Sequence, residues 1–387
     1  MKINHYTKHC IKRFIKRLLR DELYFYSIVN RNDVVINARL DLSRRHLQMK
    51  LANTKPLSDS QKSEITHFWK QYFNNKHFLF DINQYSLYNK YNTNEEILKW
   101  YMPDDFYMGF VDTFFSDYAS AIVFDNKNLY DLYFAGSKMP QTIARKMDGI
   151  YMDAMYQPIT TQQVYELCSK VSSVILKDAI DSDSGMGCRF WTNSEPLSVL
   201  EKLLEVSNDF IIQNTIQQHP DLAAFNECAV NTLRIVTFCF NQKSIPLSAM
   251  LRMSTNEAKV DNFHAGGIAC GIKDDGTLRE VAYDVLANQI TKHPKGKTFT
   301  GFKVPSYDKC IKMVTDLSLR FVNISKLISW DIAIDDMGDP VLIEANFTGG
   351  GIDSLQLCNG PLFGEHTQSV LDYLFTNSPL LKAYVEA

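Results

Sequence analysis

Two acids and an amide carry the clearest chemical signal in this chain. Asp331 lies within the apolar run Trp330-Asp331-Ile332-Ala333-Ile334, and Glu344 and Asn346 follow in Val341-Leu342-Ile343-Glu344-Ala345-Asn346. The intervening Asp336-Met337-Gly338-Asp339 reads as a hairpin turn. With Met337-Gly338 as a two-residue turn, counting outward sets Asp331 opposite Glu344. Asn346 then shares the face of Glu344, because strand side chains alternate. Facing carboxylates repel unless a cation neutralises them, and oxygen donors without histidine or cysteine suit magnesium. The plainer alternative is two solvated acids on the polar face of a hairpin. A one-residue slip in register would separate the set.

A second hairpin raises the complementary question for anions. Val230 to Phe240 and Leu247 to Met253 flank the polar loop Asn241 to Ser244. An odd loop centred on Lys243 sets Arg234 opposite Arg252, an arrangement that calls for a phosphate or carboxylate beside the pair. An even loop puts the two arginines on opposite faces, where ordinary acids satisfy them. Upstream, Lys177 ends the apolar run Val174-Ile175-Leu176, and Ser184-Gly185-Met186-Gly187 follows. A lysine beside a flexible glycine loop holds phosphates through its ammonium and the backbone N–H groups. The pattern matches neither the P-loop nor the dinucleotide motif, and S-G-x-G is also a common turn. His264, in Asp261-Asn262-Phe263-His264-Ala265-Gly266-Gly267, is either a general base or donor to substrate or a structural polar residue. Gly349-Gly350-Gly351 marks another loop with unusual backbone angles.

The elements that must position these residues suggest an α+β fold. An apolar strand from Val171 to Leu176, a helix near Leu197 to Val206 and a strand from Phe210 to Gln213 precede the two hairpins. Helices near Tyr307 to Asn323 and His366 to Leu374 complete the pattern. Residues from Ala121 to Phe134 read as a short strand followed by a helix. Residues 21–118 are rich in Tyr, Phe and Asn, with mixed patterns and no evident chemistry.

At 387 residues, with 45% hydrophobic and 22% charged residues, the chain has the balance of a globular protein with two or three domains. A net charge of −3 gives no general affinity for nucleic acid. No apolar run reaches the length of a membrane span, and the amino terminus lacks the features of a secretory signal. The eight cysteines form no C-x-x-C pair, so a zinc site or disulfide framework is not expected and a reducing cytoplasm fits. Within residues 1–20, Ile11, Phe14, Ile15, Leu18 and Leu19 recur at helical spacing among basic residues. That pattern suits either contact with an anionic membrane surface or packing with a solvated basic face.

The order of these features resembles the ATP-grasp superfamily, and within it the sugar-transfer-associated ATP-grasp family. Residues 230–238, 260–272, 293–302 and 330–351 carry the likeness. The resemblance covers residues from about 120 to 375 and implies an ATP-grasp fold, two α/β subdomains clasping ATP. Residues 1–118 would form a mixed α/β amino-terminal region, 119–214 a lid-bearing subdomain and 215–387 the catalytic subdomain. It further implies adenine contacts from Gln213, Asn214 and Ile216. Phosphate contacts would come from Lys177 and Lys127, with a lid from Ser184 through Gly185 to Gly187. Arg234 and Arg252 would stabilise the transferred phosphoryl group, His264 would serve the reaction, and Asp331, Glu344 and Asn346 would bind magnesium. The lid has fewer glycines than many relatives. The implied activity is an ATP- and magnesium-dependent carboxylate–amine ligase acting through an acyl phosphate, with a small-molecule or sugar-linked carboxylate, such as a sugar acid of a surface polysaccharide, and an amine as substrates. A kinase on the same fold and a non-catalytic nucleotide-binding protein are the alternatives.

Overall fold

The computed structural model describes residues 44–45, 48, 50, 54–73, 78–91, 94–180, 187–261 and 266–386. The basic segment 1–20, Ser184, Gly185 and His264 lie outside the described residues. Two compact units are present.

One unit comprises Met1–Ala119, Gly351–Gln356 and Gly360–Ala387. Its described part contains helices and no strand, where a mixed pattern was expected. Helix Asp59–Phe73 buries Trp69, which touches Phe80 and Phe106 at ring separations of 4.8 and 5.2 Å. The indole N–H donates to the Tyr85 hydroxyl at 2.7 Å, and that hydroxyl donates to the Tyr101 carbonyl at 2.9 Å. The Tyr and Phe content of this stretch is therefore core, with the polar tips satisfied internally. Helices Thr367–Asn377 and Pro379–Glu386 cluster here rather than with the preceding sheet, as the 215–387 boundary would have it. The reason is aromatic packing: the Tyr72 and Phe375 rings lie 4.8 Å apart, and the Tyr72 hydroxyl donates to Asp372 at 2.8 Å.

The other unit, Ser120–Gly350 with Leu357–Asn359, holds two open sheets. The first is five-stranded: β1 (Thr142–Met147), β2 (Ile150–Asp153), β3 (Ser173–Asp178), β4 (Arg189–Thr192) and β5 (Phe210–Asn214) lie in the order β2-β1-β5-β3-β4. One face buries Val174, Leu176, Phe210 and Ile212 with residues of helices Thr161–Ser169 and Leu197–Leu204. The first of these helices starts at a capping box made by Thr160 and Gln163, which satisfies two otherwise orphaned backbone donors. Strand alternation sends Lys177, Ile211 and Gln213 to the opposite face.

The second sheet has seven strands. β6 (Thr232–Phe240), β7 (Lys243–Met253), β8 (Ile268–Ile272), β9 (Leu278–Tyr283), β10 (Gln289–Ile290), β11 (Leu327–Ile334) and β12 (Pro340–Asn346) lie in the order β10-β9-β8-β7-β6-β11-β12. Helix Tyr307–Arg320 supplies Cys310, Val314 and Leu317 to the core that also buries Leu233, Leu251, Trp330 and Ile332.

Several local expectations changed. Residues from Ala121 to Phe134 form short helical turns with no strand. The hairpin at Asp148-Gly149 was not anticipated, although Asp-Gly is a strong turn signal and both residues take positive φ, 49° and 81°. The β6–β7 loop is only Asn241-Gln242, with φ 48° and 63° and Phe240 paired to Lys243. The β11–β12 turn also differs. The Asp335 N–H donates to the Asp339 carbonyl, so the loop is Asp336-Met337-Gly338, with Gly338 at φ +79°. One position of offset follows. A bulge between Asp331 and Ile332 in this pairing cancels it, and Asp331 pairs with Glu344.

Candidate functional site

The central strands of the seven-stranded sheet place charge in an apolar setting. Every residue of β11 is buried, including Asp331 at 2% exposure. An ionised carboxylate there needs partners, since burial alone costs several kcal/mol. Arg234 is its register partner on β6 and Glu344 its partner on β12. The Arg234 guanidinium forks onto Asp331: Nε donates to Oδ1 and Nη2 to Oδ2 at 2.8 Å. Arg252 Nη2 reaches the same Oδ2 at 3.1 Å. Burial works against the charged form of Asp331, but Arg234 and then Arg252 override it and hold its pKa below the usual value.

The arginine pair differs from the odd-loop expectation. Arg234 pairs with Met250 and Arg252 with Thr232, because the two-residue loop and a bulge between Val236 and Thr237 set the count. The arginines are diagonal neighbours, and the Asp331 carboxylate lies within reach of both. Behind Arg252 stands a second buried acid that the sequence reading passed over. Asp261 accepts from the Thr232 backbone N–H at 3.1 Å and from the Thr232 hydroxyl, and lies 3.6 Å from Arg252 Nε. Arg252 also donates to Thr232 Oγ1 from Nε and Nη2, at 3.1 and 2.7 Å. Burial raises the Asp261 pKa despite Arg252 and Thr232. Arg252 itself is raised: burial opposes its charge, and Asp331, Asp261 and Glu344 outweigh it. The signal for Asp261 in the sequence is an acid at the head of the glycine-containing segment that also carries His264.

Glu344 meets Lys127 at 2.8 Å. Lys127 donates its backbone N–H to the Ala179 carbonyl at 2.8 Å, just beyond β3, so this residue ties the two sheets together. Burial works against its ammonium, yet the Glu344 carboxylate leaves its pKa raised. Lys177 stands differently. Its side chain makes no hydrogen bond or ion pair among the described residues, and burial, with Lys127 as a like charge, lowers its pKa. Cys188 lies near it, its thiol pushed up by burial against the pull of Lys177. Gly187 sits at φ +93°, and a Cβ there would come within 2.8 Å of the Asp178 carboxylate, so this end of the glycine loop packs too closely for a side chain.

The Gln213 side chain reaches the Pro140 carbonyl at 3.4 Å, and the Asn214 N–H donates to the Gln141 carbonyl at 2.8 Å. Ile216 is half-buried just past β5. A cavity of about 300 Å³ is lined by Lys127, Tyr130, Thr142, Ile211 and Gln213 among others. The structure thus brings Lys127, Glu344, Asp331, Arg234 and Arg252 into one charged constellation with Lys177 nearby. The cavity of about 470 Å³ in the other unit is lined by Glu64, His67, Lys70 and Lys99, remote in sequence from all of these.

Among the described residues no group of three or more His, Cys, Asp and Glu side chains could hold a metal. The candidate set therefore rests on two acids and an amide. Asn346 donates its amide nitrogen to the Ser329 carbonyl at 3.3 Å, leaving the amide oxygen as a donor atom to a cation. Gly350 follows closely, and a Cβ there would lie 2.6 Å from Ser329 Oγ. An all-oxygen set of this kind fits magnesium.

The sequence model for the family described as sugar-transfer-associated ATP-grasp matches residues 112–371. No curated protein matches the chain. Among solved structures, the chain is similar to a D-alanyl-alanine synthetase A from Vibrio cholerae, with 13% identity, TM-score 0.40, and 68% of this chain against 67% of that one. It is also similar to a D-alanine-D-alanine ligase from Coxiella burnetii, with 10% identity, TM-score 0.38, and 70% against 64%. An L-amino acid ligase from Bacillus licheniformis shows 14% identity, TM-score 0.38, and 65% against 48%. Identities and scores this low describe a distant likeness only.

Proposed function

This chain belongs to the sugar-transfer-associated ATP-grasp family, and from that premise we propose that it joins a sugar-linked carboxylate to an amine. Membership carries an α+β ATP-grasp fold, a requirement for ATP and magnesium, and carboxylate–amine ligase chemistry in general. The sugar-linked acid of a surface polysaccharide is the part proposed.

The observation that supports the reading best is the row Arg234–Asp331–Glu344–Lys127, two acids in register and bracketed by cations. Phosphoryl transfer needs positioning and charge neutralisation more than covalent help from the protein. Lys127 and Lys177 hold the phosphates of ATP, and Arg234 and Arg252 stabilise charge on the phosphoryl group in transit. Asp331, Glu344 and the Asn346 amide oxygen would hold magnesium, which when bound would neutralise charge on the phosphates. Gln213, Asn214 and Ile216 border adenine, the loop through Gly187 closes over the phosphates and keeps water out, and His264 serves the acceptor. A substrate carboxylate oxygen attacks the γ-phosphorus and the bond to ADP breaks. The neutral amine then adds to the acyl carbon, the C–O bond to the phosphate breaks, and phosphate leaves with the carboxylate oxygen and the proton the amine gives up.

That oxygen supplies the test. A uronic acid labelled with ¹⁸O in its carboxylate, incubated with ATP, magnesium and an amino acid, is expected to deliver one ¹⁸O to inorganic phosphate, read by ³¹P NMR. Phosphate retained on product, or ADP released with unlabelled phosphate, would sink the ligase assignment for that substrate class.

A further inference from the structure

Arg252 lies between two buried carboxylates, and only one belongs to the metal-binding set proposed above. Its Nη2 contacts Asp331 Oδ2 at 3.1 Å, while its Nε lies 3.6 Å from Asp261 Oδ2. Asp331 already has a forked partner in Arg234, so two guanidinium groups face one carboxylate. A divalent cation on Asp331 would add positive charge beside an arginine that has little water around it. Like charges that close, in a medium less polarisable than water, repel strongly.

Asp261 supplies the missing negative charge from the far side. Its placement does not depend on any ligand. Thr232, the register partner of Arg252, donates both its N–H and its hydroxyl to Asp261 Oδ2. The connection from β7 to Asp261 is stapled by Asn226, whose amide nitrogen donates to the carbonyls of Ser254 and Asn256, each at 2.8 Å. Thr232 Oγ1 accepts from Arg252 while donating to Asp261, so the hydroxyl joins base and acid in one chain of hydrogen bonds. Asp261–Thr232–Arg252–Asp331–Arg234 is a continuous polar line with two acids and two bases.

We infer that Asp261 is a positioning residue: it neutralises Arg252 from behind, so that Asp331 can accept a divalent cation without that cation meeting an uncompensated guanidinium. The inference rests on the magnesium assignment above. The competing view makes Asp261 merely an anchor for the loop that follows it, through the Thr232 N–H. Asp261→Asn separates these, because the amide oxygen keeps the anchor bond and loses the charge.

The experiment titrates Mn²⁺ into the full chain with ADP present, reading free Mn²⁺ by electron paramagnetic resonance. Asp261→Asn is expected to weaken Mn²⁺ binding about tenfold, as one unit of nearby charge would. In the Arg252→Met background the same change should leave Mn²⁺ affinity unaltered, because no guanidinium remains to be neutralised. Arg252→Met alone should bind Mn²⁺ at least as tightly as wild type, which tests the inference even where Asp261→Asn fails to fold. A thermal shift without an affinity change in Asp261→Asn, equal weakening in both backgrounds, or loss of Mn²⁺ in Arg252→Met would each overturn it. Failure of wild type itself to bind Mn²⁺ with ADP would overturn the magnesium assignment and this inference together.

Discussion

The acid–base row of the seven-stranded sheet and Lys177 of the five-stranded sheet differ in how their charges are met. In the seven-stranded sheet each buried charge of the site is answered by the protein itself: Asp331 by Arg234 and Arg252, Glu344 by Lys127, Arg252 also by Asp261. In the five-stranded sheet Lys177 has no such partner among the described residues, and burial lowers its pKa. The first arrangement is assembled before any ligand arrives and is stable as it stands. Burial opposes the charge of the second, and Cys188 and Glu344 offset only part of that. On the function proposed above, nucleotide phosphates would complete the surface around Lys177.

The sharpest way to break this contrast is to remove the central acid. Asp331→Ala strands the Arg234 guanidinium in an apolar strand neighbourhood and takes from Arg252 one of its two acids, so unfolding in urea should show a loss of about 3–5 kcal/mol, together with loss of turnover. Wild-type stability would mean that the row is not held by mutual charge compensation. A smaller effect is expected at the rim. Lys127→Met leaves Glu344, whose side chain is 27% exposed, to water, so stability should fall by no more than about 1 kcal/mol. ADP affinity, followed calorimetrically, should fall about tenfold, the loss of one charge-assisted contact; an unchanged affinity would remove Lys127 from the phosphate site.

Lys177→Met should do the reverse to stability. Removing an uncompensated buried ammonium is expected to raise stability by about 0.5–1 kcal/mol while weakening ADP binding. The pH dependence gives the sign. A folded-state pKa below the ordinary 10.5 means that the unfolded chain binds more protons, so the penalty is full below the folded value and fades as pH rises toward 10.5. The stability gap between Lys177→Met and wild type should therefore narrow in alkaline buffer. A gap that stays constant, or a variant less stable at neutral pH, would show that Lys177 has a partner after all.

Much of the architecture was legible because it depends on short-range pattern. β11 and β12 contain the two apolar runs about Asp331 and Glu344 that the sequence marks as a hairpin. The family, and with it the ATP-grasp fold, could be read from the order of motifs. The local count across β11 and β12 was right at Asp331 and Glu344 for an incomplete reason: a longer loop and a bulge offset each other. Bulges are placed by twist and packing against neighbouring strands, and nothing in the spacing of two acids announces one. The bulge between Val236 and Thr237 likewise puts Arg234 and Arg252 on one face although their loop is even, an outcome that neither loop count contains. The strand expected before Phe134 failed because an apolar run there packs as helical turns, and short apolar runs do not distinguish the two.

By itself the sequence determined which side chains were available, how they alternate along each strand, and which family they belong to. Those properties follow from residue chemistry and backbone geometry within a few positions. Tertiary structure alone decided that Lys127 meets Glu344, that Asp261 backs Arg252, and that no acid among the described residues pairs with Lys177. Each of these joins, or fails to join, segments far apart along the chain, and is set by how sheets pack rather than by any local preference.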